Sequence, residues 1–401
     1  MKILDSYQPY RFQPAFRLLD FMRQLGDPET IMLGAGIPDP ALLPGEAIIE
    51  SFHEANRVTN GGYFGYQTPE GDPELRHLIS ERMKTRGIDD LEGDSSVILT
   101  TGCTQALHLA LRTRVKPGDT VAVECPCYYH LLEQISSLGA NILPIPADMN
   151  EGIDLERGLE LLKNHQARCL VLCSTLSNPS GATMPVSVRP QLVDGCRKLG
   201  VTIIEDDIYA ELHDDGASPP LRAFDDGGTV TLVSSFCKTV APGLRVGFIL
   251  PGPDFEVIAA ERCMMDMHGG VVAEVTLREY LKRPDSKTHL EKMKGIFQKR
   301  RRILRDAVED NFPTGTVVSC PAGGFLLWAV LPFLTDSGLM HQRALEQKVT
   351  FADGKVFLPA APTRTAMRLN AGKASEQNIV RGIQVLSEII EDAPACAEPT
   401  L

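Results

Sequence analysis

The chain has 401 residues, 43% hydrophobic and 23% charged, with a formal net charge of −12 at pH 7. That length can bury a large core in two or three domains, and the acidic balance argues against nucleic acid or anionic lipid as a partner. No run is apolar for long enough to span a bilayer, and the start, MKILDSYQPY, lacks the apolar core of a signal peptide, so a soluble cytoplasmic protein is expected. Ten cysteines are scattered without a Cys-x-x-Cys pair, and Cys125/Cys127 and Cys169/Cys173 sit in apolar strand-like runs. They read as buried free thiols. The nine histidines show no ligand-like spacing, so no metal site is expected.

The first fifty or so residues, rich in Pro and Gly, read as a segment that wraps onto the C-terminal part of the chain. From about Ser95 to Leu250, SVILTTG, TVAVECP, CLVLCST, VTIIEDD, TVTLVSS and RVGFIL read as strands buried on both faces. Helical patterns lie between most of them, such as TQALHLALRTRV from Thr104 and VRPQLVDGCRKLG from Val188. That alternation predicts an α/β fold with a mainly parallel sheet, whose C-terminal strand ends form the ligand-binding edge. After about Gly270 the texture changes. A long helical pattern from Glu274 is followed by GGFLLWAVLP, a strand-like run near Lys355, AMRLNAG and a last amphipathic helix. The predicted units are residues 1–55 joined to the small domain, a large domain over 56–275 and a small α+β domain over 276–401. The basic run Lys299–Arg302 reads as a solvated helix face.

Four stretches at predicted strand ends carry chemistry. TTGCTQ places Gly102, Cys103 and Thr104 at a strand-to-helix junction, where free backbone N–H groups suit a phosphate. STLSNPSGATMP is first a turn, and it leaves the Asn178 side chain available for a hydrogen bond. EDDIYAEL ends a strand with Asp206 and Asp207, which are either solvated caps of the next helix or a carboxylate that holds a proton on a heteroaromatic nitrogen. SSFCKTVAPGLRVGF sets Lys238 between Ser235 and Arg245 among small residues. A partly desolvated lysine can attack a carbonyl, and an arginine fork can clamp a phosphate.

Taken in order, these stretches resemble the fold-type I, class I/II aminotransferases that use pyridoxal 5'-phosphate. SSFCKTVAPGLRVGF is similar to the family's lysine segment, SNPSG to its Asn-Pro-x-Gly turn, EDDIY to its Asp-x-x-Tyr element and AMRLNAG to its carboxylate-binding arginine segment. YQTPEGDPELR and PAGGFLLWAVLP also resemble family stretches, and the likeness runs from LGAGIPDPALLP to the last helix, nearest in flavour to 2-aminoadipate aminotransferases. The resemblance implies a large domain with a mainly parallel seven-stranded sheet plus a smaller α+β domain. It also implies roles. Lys238 would hold the cofactor through a covalent imine and shuttle a proton, and Asp206 would pair with the ring nitrogen. Asn178 and Tyr209 would bond the ring oxygen. Tyr128 would stack on the ring, with Tyr129 as the rival. The phosphate would lie against Cys103, Thr104, Ser235 and Arg245, and Tyr66 would reach the neighbouring site of a homodimer. Arg368, with Asn178 and Gly36, would bind the substrate carboxylate. Cys237 and Cys103 depart from the family pattern, and Cys237 could make the enzyme sensitive to oxidation.

The implied reaction is transfer of an amino group from an L-amino acid to a 2-oxo acid in a ping-pong cycle. The same residues would serve a lyase or cyclase acting on an amino acid. A non-catalytic cofactor-sensing domain of a regulator is the third reading; about thirty residues before LGAGIPDP are too few for a winged helix-turn-helix. The substrate is left open: Arg11, Arg17 and Arg23, or Tyr7, Tyr10, Phe12 and Phe16, lie near the N-terminus without a motif to place them.

Overall fold

In the computed structural model, residues 29–59, 61–226 and 228–393 are described; the N-terminal arginines and aromatics just named lie outside them. The described chain opens on strand β1 (Ile31–Met32) and then builds one sheet from β2 (Ile98–Thr100), β3 (Thr120–Cys125), β4 (Asn141–Asp148), β5 (Gly152–Ile153), β6 (Cys169–Leu172), β7 (Thr202–Asp206), β8 (Val230–Ser235) and β9 (Gly247–Leu250). The order across the sheet is β2-β9-β8-β7-β6-β3-β4-β5. Only β9 and the two-residue β5 run antiparallel to their neighbours. The expected seven strands are present, and β5 is an eighth, turned back off the end of β4.

The continuous apolar runs follow from cover on both faces. Val121 and Val123 of β3 join one buried cluster with the Cys103–Arg114 and Tyr129–Ser137 helices. Ala122 between them joins the opposite cluster with the Leu155–Asn164 and Arg189–Leu199 helices. Each such buried Val, Leu or Ile contributes about 1.5–3 kcal/mol. A third cluster packs Leu75 and Ile79 against Phe248, Leu277 and Tyr280 at the β2–β9 edge.

The C-terminal part forms its own antiparallel sheet from β10 (Val317–Val318), β11 (Leu326–Val330), β13 (Ala352–Asp353) and β14 (Ala366–Asn370), in the order β10-β11-β14-β13. A separate strand, β12 (Val349–Thr350), pairs in parallel with β1, so residues 31–32 are tied here rather than to the large sheet. Its core gathers Leu304, Val308, Leu327, Met340, Phe351, Met367 and Ile383.

Three local expectations are corrected. The helical pattern starting near Glu274 is two helices, Val271–Lys282 and Asp285–Asn311, separated at Arg283-Pro284, because proline lacks the N–H that the helix ladder needs. Lys355 lies in a 3-10 turn, Gly354–Phe357, after the short β12 and β13 strands. The basic run is not a solvated face throughout: Arg301 is buried, donating to Gly324 O at 2.8 Å and to Asp214, while Arg300 donates to Gly372 O at 3.2 Å. Among the described residues no helix is long and apolar enough to cross a membrane.

Candidate active site

Because β2, β3, β6, β7 and β8 all point the same way, the segments that follow them emerge at one sheet edge. Gly102, Tyr128, Asn178, Tyr209 and Lys238, far apart in sequence, therefore share that edge. β9 runs back from it, and Arg245 sits just before β9.

The turn after β2 packs closely against Arg245 and the start of β9. Gly102 has φ 79°, and a Cβ there would lie 2.6 Å from Arg245 Nη2. A Cβ on Gly247 would meet the Gly102 carbonyl carbon at 2.6 Å and Cys103 N at 2.9 Å. No side chain caps the Cys103–Arg114 helix, so its first N–H groups, Thr104 among them, face the edge with the positive end of the helix dipole. Arg245 is exposed, in the left-handed conformation at φ 55°, a backbone state that costs a non-glycine residue about 1 kcal/mol. It donates to Thr101 O at 3.3 Å. The Ser235 hydroxyl donates to Val246 O at 3.0 Å and accepts from Cys237 N at 3.1 Å, so it already braces this turn from within.

Three successive acids end β7, each with different company. Glu205 accepts from Ser174 Oγ, from Leu221 N at 2.7 Å and from Arg222 N at 3.1 Å. Asp207 is buried in a two-point pair with Arg86, whose Nη2 donates to Asp207 Oδ1 at 2.9 Å. Asp206 has no such cation in hydrogen-bond contact among the described residues: it accepts from Ile208 N at 3.1 Å and from the Cys103 thiol at 3.4 Å. Burial pushes its carboxyl up to about 6, against the pull of those bonds and of Lys238.

That shift has a measurable sign. Between the ordinary Asp value and about 6 the folded chain holds more protons than the unfolded one, so this group's contribution to stability falls as pH rises through the window and stays lost above it. The cofactor-free Asp206→Asn variant is expected to be more stable than wild type near pH 7, by about 3 kcal/mol, and level with it near pH 4. Thermal melts at both pH values check this; no difference near neutrality would contradict it.

Lys238, half-buried, donates from Nζ to Gly36 O at 2.8 Å and lies 5.6 Å from the centre of the Tyr209 ring. Arg368 is 1% exposed although charged. Its Nη1 donates to Asn178 Oδ1 at 2.8 Å and its Nη2 to Gly34 O at 2.6 Å, while its buried Nε has no partner. A Cβ on Gly36 would stand 3.3 Å from the guanidinium carbon, so glycine lets the backbone approach. Tyr128 is half-buried within reach of the fields of Tyr209, Arg368 and Asp206, and burial raises its phenol well above the usual value. The structure thus gathers Gly36, Cys103, Thr104, Tyr128, Asn178, Asp206, Tyr209, Ser235, Lys238, Arg245 and Arg368 around this sheet edge. It does not bring Tyr66 there: that ring is 84% exposed and meets His268 edge-on at 5.6 Å.

Several supporting residues carry no motif. Arg189, fully buried, donates to Ser174 O, Met184 O and Thr175 Oγ1, each at 3.0 Å, and so clamps the loop that presents Asn178. Glu124 accepts from Cys173 N at 2.8 Å and from Ser177 Oγ at 2.7 Å, and burial raises its carboxyl to about 8. Asn370 donates to Ala35 O and to Ile37 O, holding the Gly34–Ile37 segment against the cleft. The partners of Glu124 and Asn370 are distant in sequence, and those of Arg189 lie 5 to 15 residues back without a pattern that marks them; only the alternation of β14, which puts Asn370 on the same face as Arg368, could have signalled one of them.

The profile of the aminotransferase class I and II family matches residues 28–386. The chain belongs to the class I and II aminotransferases. It is 29% identical to aromatic-amino-acid aminotransferase 1 of Thermococcus litoralis, over 94% of this chain and 92% of that one. The 2-aminoadipate transaminase of Thermus thermophilus is 27% identical over 91% of each chain. The crystal structure of Pyrococcus horikoshii kynurenine aminotransferase, in complex with PMP, superposes with a TM-score of 0.87 at 27% identity, covering 95% of both chains. Uncharacterised HTH-type transcriptional regulators of Escherichia coli also match most of the chain. The protein is a pyridoxal-phosphate-dependent aminotransferase, and the lyase, cyclase and regulator readings are not favoured. The aminotransferase's own cleft fits the cofactor that its family implies: an uncapped helix start beside Arg245 suits the phosphate, Asp206 suits a cationic ring nitrogen, and the unpartnered Nε of Arg368 suits a further acceptor.

Proposed function

We propose that Lys238 is the residue that holds the cofactor covalently and moves the proton, with the division of the three acids as the observation that carries this reading. Asp207 is paired with Arg86 and Glu205 is satisfied by the Ser174 hydroxyl and two backbone N–H groups, whereas Asp206, in the same short run, is left for a cation that the cofactor ring would bring. When bound, pyridoxal 5'-phosphate supplies a carbonyl that links to amines and a ring that accepts the electron pair of the substrate's Cα–H bond. Lys238 Nζ, held near Arg368 by its bond to Gly36 O, would take the proton from that Cα and carry it. Asp206 would pair with the ring nitrogen. Tyr209 and Asn178 would donate to the ring oxygen, and Tyr128 would lie against the ring. Cys103, Thr104, Ser235 and Arg245 would hold the phosphate. Arg368, Asn178 and Gly36 take the α-carboxylate of the amino acid and, in the return half, of the 2-oxo acid. Borohydride reduction of the loaded protein, followed by peptide mass analysis, tests the assignment: the added cofactor mass belongs on the peptide containing Lys238, and its appearance elsewhere would overturn the reading.

We also infer a homodimer in which Tyr66 reaches the second copy's phosphate. Ile49, Phe64, Tyr66, Met264 and Met267 are 59%, 75%, 84%, 72% and 56% exposed, and a groove beside them runs from Phe52 and Tyr63 to Gly243-Leu244, next to the lysine segment. An apolar face of this kind calls for a partner. Phe64→Glu is expected to weaken association by about tenfold or more, read by sedimentation at several concentrations; an unchanged assembly would exclude this face. Separate cores support a large and a small domain: Ile31 and Leu33 join the small-domain core, whereas Ala47, Ile48, Leu277 and Tyr280 pack on the large sheet. Seven buried free thiols support the cytoplasm as its compartment.

A further inference from the structure

The wall beside Arg368 is aromatic, and it is built from residues outside the cofactor assignment. Phe357 lies under the guanidinium, with its ring centre 4.8 Å from the Arg368 Cζ. Tyr129 meets Phe357 edge-on at 5.4 Å and leans on Tyr128 at 5.0 Å. Trp328, opposite Arg368 in the β11–β14 ladder, meets the other side of Phe357 at 5.5 Å. Tyr129 is half-buried, and its phenol lies within the fields of both Arg368 and Lys238. A molecule whose carboxylate is on Arg368 and whose amino group is near Lys238 would lie beside the Tyr129 ring.

The charges around this wall discriminate as well. Among the described residues, the ionisable groups acting on Arg368 are the phenols Tyr129, Tyr209 and Tyr128. Those acting on Tyr129 are Arg368, Lys238 and Glu133. Among the described residues, the cations in these two sets are Arg368 and Lys238, which the α-carboxylate and the amino group take, and Glu133, one helical turn beyond Tyr129, repels a side-chain carboxylate. An unpaired carboxylate in such a site is costly, whereas a flat apolar side chain gains area and ring contacts.

We propose that Tyr129, backed by Phe357, determines specificity and selects amino acids with aromatic or large apolar side chains over dicarboxylic ones. This rests on the carboxylate role given to Arg368. The test uses the cofactor-loaded enzyme with L-phenylalanine, L-leucine, L-glutamate and L-2-aminoadipate as donors. The expected kcat/KM is higher for the first two by about tenfold or more. Tyr129→Ala and the milder Tyr129→Leu should erode that ratio mainly through KM for phenylalanine. A second readout needs no turnover: Trp328 is the chain's single tryptophan, and its emission should respond to 3-phenylpropanoate at a lower concentration than to adipate. Dicarboxylic donors equal to or better than phenylalanine, or a preference that survives both Tyr129 variants, would overturn the proposal. Absence of transfer with every donor, with 3-phenylpropanoate still binding ahead of adipate, would sink the transfer reading and leave the specificity of the wall standing.

Discussion

Lys238→Ala is expected to abolish the visible absorbance of lysine-bound cofactor and to lower amino transfer by at least about 10⁴-fold, because one substitution removes both the covalent anchor and the proton carrier. The loss should not come from unfolding. Lys238 makes one hydrogen bond through Nζ, to Gly36 O, at the rim of a cleft whose framework is set by Ser235, Val246 and the β8–β9 ladder. The alanine variant should therefore melt close to wild type and still take up the cofactor non-covalently, through the turn at Gly102–Thr104 and Arg245. Full turnover, or cofactor mass fixed on another peptide after borohydride treatment and dialysis, would show that another residue holds the cofactor.

Arg368→Lys is expected to spare the visible band and damage substrate binding. A guanidinium presents a rigid fork to a carboxylate, which an ammonium cannot copy, and each hydrogen bond to a charged group is worth about 1.5–3 kcal/mol. Losing two such bonds predicts a fall of about 10²–10⁴-fold in kcat/KM for amino donors, carried largely by KM. Lysine would also leave Gly34 O or Asn178 Oδ1 without its present donor. The pair of variants tests the proposed division of labour: Lys238, just after β8 of the large sheet, for the cofactor, and Arg368, on β14, for the substrate. Unchanged KM in Arg368→Lys would mean that the carboxylate binds elsewhere.

Local chemistry was legible in the sequence. Lys238, Asp206 and Asn178 each follow an apolar strand, and parallel strands deliver whatever follows them to a common edge. Strand β4 was harder to read, because Pro144 and Pro146 interrupt its sequence, NILPIPAD, and proline cannot donate to a ladder. The structure tolerates them because β4 pairs with β3 on one side while β5 joins only at Ala147 and Asp148, beyond both prolines. The break at Pro284 was visible, but apolar spacing continues on both sides and masked two helices as one. Contacts that shape the cleft were invisible for a different reason. Arg368 meets Gly34 across 334 residues, Glu124 meets Ser177 across 53 and Arg86 meets Asp207 across 121. Periodicity reports which face a residue is on, never its distant partner. Tyr66 illustrates the remaining gap: its proposed target lies on a second copy, so a single chain shows only an exposed ring.

The most direct test of the central claim is the absorbance spectrum of the loaded protein through one half-reaction and back. Addition of an amino donor, L-phenylalanine first, is predicted to convert the lysine-bound band to that of the amine form of the cofactor, and a 2-oxo acid is predicted to restore it, in wild type and not in Lys238→Ala. A band that never converts with any donor, or that decays with release of ammonia and does not return with a 2-oxo acid, would contradict amino transfer at Lys238.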